Sequence, residues 1–228
     1  MDNIFVEKES TSKSLPVIKF GRYSDDEKGT LRDIEWIVLD AKDGNALVLS
    51  KYVLDTQPYH SGFRRTTWEK CSLRAWLNNE FLNRAFSESE QSRIIETSIH
   101  TNNNPISGTD GGADTVDRLF LLSIEDVVNE SLGFSSEYRQ PDPLRKCDFS
   151  DYATDRFAWG NDHEYVHYVE GNASAIYIGE HWWLRSPGSI QSSAAEVECR
   201  DGFVFCSGSD VDYKSNGVRP AMRIKLEA

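Results

Sequence analysis

The chain contains little cysteine. Its 228 residues include only four, at Cys71, Cys147, Cys199 and Cys206. Four are too few to stabilise a chain of this length by disulfides, and no pair has the CxxC spacing of a metal site. A two-residue turn at Asp201-Gly202 would pair Cys199 with Val204. The same turn would pair Cys206 with Val197, so these two cysteines would not face each other. We therefore expect four reduced thiols and a reducing compartment.

The chain also lacks an excess of basic residues and a long apolar run. Its 25 Lys and Arg against 37 Asp and Glu give a formal net charge of −12, which repels phosphate backbones and anionic membrane surfaces. No stretch reaches the roughly 20 apolar residues of a membrane helix, and the first residues do not form a signal peptide. We expect no nucleic-acid partner and no membrane insertion. The expected compartment is the cytoplasm, or the exterior if a leader has been trimmed.

The length fits one large domain better than two. Residues 1–16 are polar and include Ser10-Thr11-Ser12-Lys13-Ser14, so they are predicted to form a flexible leader. Residues 17–228 are predicted to form a single α+β domain, because β-rich stretches come first and last and helical patterns lie between them. The terminal strands are expected to meet in one sheet.

Two β-rich stretches, residues 34–40 and 46–51, flank the turn residues Asp43-Gly44-Asn45. They predict an antiparallel hairpin, with Trp36 as a structural residue. Pro220 suits a sheet edge or a bulge. Four later stretches are predicted to be strands, at residues 182–185, 194–200, 203–207 and 218–226.

The strongest helical pattern runs over residues 72–86, where apolar residues recur at helical spacing at Leu73, Trp76, Leu77, Phe81, Leu82 and Phe86. Trp76 is predicted to be structural. Ser87 and Glu90 have the spacing of a capping box that begins a second helix. Ser123 is predicted to cap a third helix.

Residues 101–117 are rich in Asn, Gly, Thr and Asp and are predicted to form an exposed loop before a short buried strand at 119–122. Acidic oxygens clustered in a flexible loop can hold Ca²⁺, which makes Asp110 and Asp114 weak candidate ligands beside Asp117. The spacing of an EF-hand is missing, and a solvated acidic loop explains the same residues.

Residues 163–167, His-Glu-Tyr-Val-His, match the HExxH pattern, in which two histidines hold Zn²⁺ and the glutamate activates water. The pattern requires a helix, whereas the β-branched and aromatic residues here favour a strand. A strand would place His163 and His167 about 13 Å apart, too far to share a metal. A zinc-dependent hydrolase is therefore the alternative hypothesis. We predict no catalytic residue, no metal and no cofactor.

Five blocks of the sequence resemble a family of bacterial domains of unknown function that is common in gut Firmicutes. They are Ile34-Glu35-Trp36-Ile37-Val38-Leu39, Ser72-Leu73-Arg74-Ala75-Trp76-Leu77-Asn78, Phe120-Leu121-Leu122-Ser123, Trp182-Trp183-Leu184-Arg185-Ser186-Pro187-Gly188 and Gly217-Val218-Arg219-Pro220-Ala221. That family is in turn similar to the C-type-lectin-like superfold. The resemblance implies a twisted antiparallel sheet, two or three flanking helices and a long irregular loop region. In other members that region binds sugars, proteins or peptides.

The sequence departs from the calcium-binding and catalytic members of this superfold. Lectins that hold sugar through calcium use Glu-Pro-Asn or Gln-Pro-Asp and then Trp-Asn-Asp. The first element is absent, and Trp159-Gly160-Asn161-Asp162 matches the second incompletely. The formylglycine-generating enzymes need a cysteine pair, but Cys199 and Cys206 stand in a different motif context. No functional residue is transferred, because a fold alone does not carry a function.

Arg185 and Arg219 lie beside apolar residues that are typical of a core. Each could clamp a carboxylate or phosphate of a ligand. Alternatively, each stacks on a tryptophan or pairs with a buried acid and fixes the strand register. We prefer the second interpretation and predict both as structural residues, together with Trp183. Because Trp182 and Trp183 face opposite sides of a strand, one ring is expected in the core and the other could lie exposed and stack on a sugar.

Residues 133–179 follow no clear period, and we expect function to reside there. Tyr, Ser, Gly, Asn and Asp are favoured by adaptable binding surfaces, and residues 189–193 and 207–216 are expected on the same face. The sequence predicts a non-enzymatic recognition module for an unknown protein, peptide or glycan. An acidic scaffold or regulatory domain is a further alternative. The weak candidate ligand-binding residues are Tyr138, Trp159, Tyr165, Tyr168 and Tyr213.

Overall fold

The chain folds mainly as antiparallel sheet. We describe residues 15–24, 29–154 and 181–226 of a computed structural model, in which strands predominate and the helices are few and short. The protein is α+β with curled antiparallel sheet, as the order of sequence patterns predicts. Residues 1–14 of the predicted leader lie outside the described residues, whereas the carbonyl oxygen of Pro16 accepts a hydrogen bond from Val38.

Thirteen strands lie in the described residues. They are β1 (Val17–Ser24), β2 (Leu31–Lys42), β3 (Asn45–Ser50), β4 (Asp55–Thr56), β5 (Ile94–Ile95), β6 (Thr97–Ile99), β7 (Thr115–Asp117), β8 (Leu119–Phe120), β9 (His181–Pro187), β10 (Ser193–Glu198), β11 (Val204–Asp210), β12 (Gly217–Val218) and β13 (Ala221–Lys225).

The first sheet joins the two ends of the domain. Its order is β1, β2, β3, β13 and β5, and β8 also pairs with β13. Strands β1 and β13 therefore share one sheet, as predicted. The predicted hairpin is β2 and β3, in which Asp43 and Gly44 form the turn with φ values of 53° and 74°. Positive φ at both residues is typical of a type I′ turn.

The second sheet orders β11, β10, β9, β12 and β4. Strand β9 lies at its centre, paired antiparallel with β10 and in parallel with β12 at Trp182 and Gly217. The chain passes to the first sheet between β12 and β13. Pro220 is tolerated there because it lies between two strands, and its carbonyl oxygen accepts from Ser50.

The first predicted helix contains a π-helical turn. It consists of α1 (Ser72–Trp76), the π-helical residues Leu77–Phe81 and α2 (Leu82–Ala85). The side-chain amides of Asn78 and Asn79 each donate to the carbonyl oxygen four residues earlier. These amides compete with main-chain N–H groups for the same carbonyl oxygens, which explains why this turn is π-helical.

Capping boxes begin the other two predicted helices, α3 (Glu88–Gln91) and α4 (Ile124–Val127). Ser87 and Glu90 form the predicted box, and the second oxygen of Glu90 accepts from Gly21 N–H at 3.1 Å. Ser123 caps α4 and forms a reciprocal box with Asp126. None of the described helices is long and apolar enough to cross a membrane.

The prediction of an exposed loop at residues 101–117 is wrong in part. Strand β7 occupies its end, and Asn104 is only 3 % exposed. The amide of Asn104 donates to the carbonyl oxygens of Pro187 and Cys206 at 2.9 and 2.8 Å. Its oxygen accepts from two backbone N–H groups of its own loop. One buried amide thus anchors this loop to the second sheet.

The predicted register of the last hairpin is also wrong. Val197 pairs with Val204 rather than with Cys206. The turn is wider than two residues because the carboxylate of Glu198 accepts from two backbone N–H groups within it. Cys199 therefore lies in the turn. Each of the four cysteines is a thiol outside any disulfide in this structure.

Candidate functional site

Several predicted site residues lie outside the described residues. They are Trp159, Tyr165 and Tyr168 among the aromatic candidates, and His163 and His167 of the HExxH match. The zinc hypothesis rests on those two histidines and stays a prediction.

Tyr138 and Tyr213 are the predicted ligand-binding residues that are described. Both are half-buried, and burial raises the pKa of each phenol. The carbonyl oxygen of Tyr138 accepts from Val204 N–H at 2.8 Å, which ties its turn to the start of β11. Tyr213 follows the other end of β11, where its N–H donates to Asp210.

Asp110 and Asp114 already have protein partners. Asp110 accepts from a backbone N–H two residues on, and Asp114 contacts His100 Nδ1 at 2.6 Å. Asp117 is buried and accepts from Arg74 Nε at 2.7 Å and from an indole N–H at 3.0 Å. Over the described part of the chain, no group of three or more His, Cys, Asp and Glu could hold a metal ion.

Arg185 is 7 % exposed and links β9 to α4. Its Nη1 donates to the carbonyl oxygen of Leu121 at 2.8 Å and to the carboxylate of Asp126 at 2.5 Å. Its Nη2 donates to the carbonyl oxygen of His100 at 3.1 Å. These three acceptors belong to the protein itself, and they support the structural interpretation of Arg185.

Trp182 and Trp183 are both 0 % exposed, so the expectation that one ring could lie exposed and stack on a sugar is wrong. Strand β9 is central, and both of its faces are covered. The guanidinium of Arg219 lies 5.0 Å from the centroid of Trp182. Tyr59 packs edge-on against Trp183, with centroids 5.8 Å apart. Each indole N–H donates to a backbone carbonyl oxygen.

The two other tryptophans predicted to be structural differ in burial. Trp36 is 0 % exposed and its indole N–H donates to the carbonyl oxygen of Phe20 at 2.7 Å. Trp76 is half-buried and packs against Phe81, with ring centroids 5.4 Å apart. Both rings therefore contribute to packing around the first sheet and its helix.

Three loops meet at one end of the second sheet, and we name residues 60–67, 104–112 and 188–193 the loop cluster. Hydrogen bonds join all three. Thr66 N–H donates to the carbonyl oxygen of Gln191 at 2.9 Å, and the Gln191 amide donates to the carbonyl oxygens of Thr66 and Asp110 at 2.8 and 3.0 Å. Thr109 Oγ1 donates to the carbonyl oxygen of Ser189 at 2.9 Å. The loops thus hold one another in place.

Two glycines let the cluster pack closely against neighbouring backbone. A Cβ atom at Gly111 would lie 2.1 Å from the carbonyl oxygen of Thr101, and one at Gly188 would lie 2.4 Å from that of Ser207. Both distances are far inside van der Waals contact, so no other residue fits without displacing backbone.

Each loop of the cluster carries one exposed apolar side chain. Phe63 is 61 % exposed, Ile106 is 72 % exposed and Ile190 is 55 % exposed. Large apolar side chains that cluster in solvent mark interaction sites, whereas single scattered ones do not. The hydrogen bonds between the loops place all three side chains at the same end of the second sheet.

His60 attaches the first loop of the cluster to α1. Its Nε2 lies 2.7 Å from Arg64 Nε, and its Nδ1 lies 3.2 Å from the backbone N of Ser72. Burial, and then the charge of Arg64, lower the pKa of His60 from its ordinary value of 6.5. A protonated ring accepts no hydrogen bond and a neutral ring accepts at one nitrogen only, so neutral His60 accepts either from Arg64 Nε or from the backbone N–H of Ser72.

Sequence reasoning placed residues 189–193 on the functional face but missed the two other loops. The sequence feature that could have identified these loops is a single apolar residue among turn-forming and polar residues. Phe63 stands between Gly62 and Arg64, and Ile106 stands between Pro105 and Ser107. Such residues have no periodic partners and so predict no element of secondary structure.

A groove of about 650 Å³ lies beside β1 and β2. Tyr52 and Phe149 contribute aromatic rings to it. Three charged residues on its rim pair with each other: Lys19 and Arg22 contact Asp33 at 3.7 and 3.1 Å. These three charges are already paired within the protein and are therefore less available to a ligand.

Comparison with protein families identifies the domain. Residues 43–226 match the family described as "Domain of unknown function (DUF6273)". The matched span includes all described strands except β1 and β2. Comparisons with curated proteins and with solved structures gave no match. Because the match covers most of the chain, the chain belongs to the DUF6273 family.

Proposed function

We propose that this protein is a non-enzymatic recognition module that binds a protein partner through the loop cluster. The observation that carries the proposal is the presence of Phe63, Ile106 and Ile190 as exposed side chains on three loops joined by hydrogen bonds. Loops held by a rigid scaffold are a common location for binding residues.

The apolar character of the cluster favours a protein or peptide over a glycan. Two of its three exposed side chains are isoleucines, which offer no flat aromatic face to a sugar ring. Protein interfaces are centred on apolar and aromatic anchors that lose water on binding. Joined loops also lose less conformational freedom on binding than separate mobile loops would.

We propose in addition that the fold is C-type-lectin-like. The curled antiparallel sheets, the shared sheet of β1 and β13 and the irregular loops at one end support this proposal. Trp159, Tyr165 and Tyr168, which lie outside the described residues, remain candidate contacts of the ligand.

The experiment uses the full chain as bait for a displayed library of peptides, with a glycan array in parallel. Peptides selected by the wild-type chain are then measured against Phe63→Ser, Ile106→Ser and Ile190→Ser. Each substitution is expected to weaken binding about tenfold or more, because the loss of an interface anchor costs about 1.5 kcal/mol or more of binding free energy. Thermal melting should stay unchanged, because these side chains are exposed.

Leu31→Ser is the matched control. Leu31 is also apolar and 54 % exposed, but it lines the groove beside β1 and β2. The Leu31→Ser variant should bind the selected peptides with the same affinity as the wild type. Binding that Leu31→Ser abolishes and Phe63→Ser leaves intact would move the site to the groove. Binding of glycans alone would contradict a protein partner.

A further inference from the structure

Two cysteines that are far apart in sequence lie side by side. Cys147 Sγ and Cys199 Sγ are 3.6 Å apart, although 52 positions separate them in the chain. The backbone N–H of Cys147 donates to the carbonyl oxygen of Cys199 at 3.2 Å. A disulfide has its sulfur atoms about 2.05 Å apart, so the two atoms need to approach by only about 1.5 Å.

The segment that carries Cys147 is fixed from several directions. The carbonyl oxygen of Arg145 accepts from the indole N–H of Trp182 at 3.1 Å. Asp142 N–H donates to the carbonyl oxygen of Asp201 in the turn that also contains Cys199. A Cβ atom at Gly202 would lie 2.8 Å from the carbonyl oxygen of Asp142, which shows how closely turn and segment pack. The two thiols are therefore held together before any reaction.

The two thiols differ in exposure. Cys147 is half-buried, whereas Cys199 is 3 % exposed. A small oxidant in solution reaches Cys147 first, and Cys199 is placed to react with it next. Cys147 is therefore placed as the attacking thiol and Cys199 as the resolving thiol of a thiol-disulfide exchange.

We propose that Cys147 and Cys199 form a reversible oxidation site whose co-substrate is a low-molecular-weight disulfide such as oxidised glutathione. The Cys147 thiolate attacks one sulfur of oxidised glutathione, forms a mixed disulfide and releases one glutathione thiolate. Cys199 loses its proton to solvent, attacks the Cys147 sulfur and releases the second glutathione. Two electrons pass to oxidised glutathione, and two glutathione thiols and one protein disulfide result. The site is independent of the proposed partner of the loop cluster.

The test incubates the folded full chain with oxidised glutathione and maps its disulfides by mass spectrometry of unreduced peptides. We expect a cross-linked peptide pair containing Cys147 and Cys199, with the loss of two hydrogen atoms. The melting temperature should rise by about 5 °C or more and return after reduction. Cys147→Ser and Cys199→Ser should abolish the cross-link, and Cys206→Ser should leave it unchanged.

Oxidation in denaturant is the decisive control. In an unfolded chain the shorter loop between Cys199 and Cys206 closes more readily than the 52-residue one. A cross-link between Cys147 and Cys199 in the native protein, replaced by one between Cys199 and Cys206 in denaturant, supports the proposal. A native protein that takes up glutathione at Cys147 without forming the cross-link overturns it.

Discussion

Arg219 and Trp182 donate hydrogen bonds to the same oxygen. The carbonyl oxygen of Arg145 accepts from the Trp182 indole N–H at 3.1 Å and from Arg219 Nη1 at 3.3 Å, and the guanidinium lies over the ring. Arg219 also donates to the carbonyl oxygens of Ser50 and Leu144 at 2.9 and 2.8 Å. One side chain thus joins the first sheet, the second sheet and the irregular segment.

Arg219→Lys is expected to lower the free energy of unfolding by about 2–4 kcal/mol, because lysine keeps the charge but cannot reach three carbonyl oxygens with a planar fork. Urea unfolding followed by tryptophan fluorescence measures this. Arg200→Lys is the control, since the Arg200 side chain is 76 % exposed. Equal stability of the two variants would contradict a structural role for Arg219.

Arg185→Ala is expected to lower the melting temperature by about 6 °C or more, through a loss of about 2–4 kcal/mol. The substitution removes the partner of Asp126 and leaves two carbonyl oxygens without their donor. Calorimetry of Arg185→Ala beside Arg200→Ala measures the difference. An unchanged melting temperature for Arg185→Ala would show that its contacts contribute no net stability.

Gly208→Ala is expected to prevent stable folding. Gly208 has φ of 67°, and a Cβ atom there would lie 1.8 Å from the carbonyl oxygen of Ala194 in the neighbouring strand. Gly44 has a similar φ of 74° with nothing within 4 Å of its Cβ position. Gly44→Ala should therefore cost only about 1 kcal/mol, the penalty of the backbone conformation alone. Circular dichroism and urea unfolding of the pair separate the steric effect from the conformational one.

His60 and His100 are expected to titrate on opposite sides of 6.5. Burial and Arg64 lower the pKa of His60, whereas the hydrogen bond and charge of Asp114 raise that of His100. Below pH 6.5 the unfolded chain binds a proton that folded His60 excludes, so this contribution to stability falls as the pH falls. The contribution of His100 is complete below 6.5 and is lost as the pH rises through its folded pKa.

NMR titration of the histidine ring protons measures both values. Asp114→Asn should return the pKa of His100 towards 6.5 and leave that of His60 unchanged. Arg64→Ala should raise the pKa of His60 without affecting His100. A value for His60 above that for His100 in the wild type would contradict the described contacts.

Local sequence patterns were sufficient for the elements that depend on neighbouring residues. The hairpin at Asp43-Gly44, the helix that begins at Ser72 and the capping box of Ser87 were all predicted, because each depends on residues a few positions apart. Membership of a family of domains of unknown function was also predicted from the resemblance, and the family match confirms that part of it.

Features that depend on distant residues could not be predicted. Asn104 is buried because it meets carbonyl oxygens at 187 and 206, and no local pattern indicates that pairing. Trp182 and Trp183 are both covered because β9 is central, which depends on the order of strands in the sheet. The contact between Cys147 and Cys199 arises in the same way.

In the loop cluster, the residues that hold the loops in place differ from those that would contact the proposed partner. Its loops are held by backbone groups and by Asn104, Gly111 and Gln191, while the exposed side chains of Phe63, Ile106 and Ile190 extend into solvent. The three exposed positions can therefore change during evolution with little penalty to the scaffold. Such an arrangement lets one domain acquire new partners by substitution at a few surface positions, and it makes these positions suitable for randomisation in a library of engineered binders.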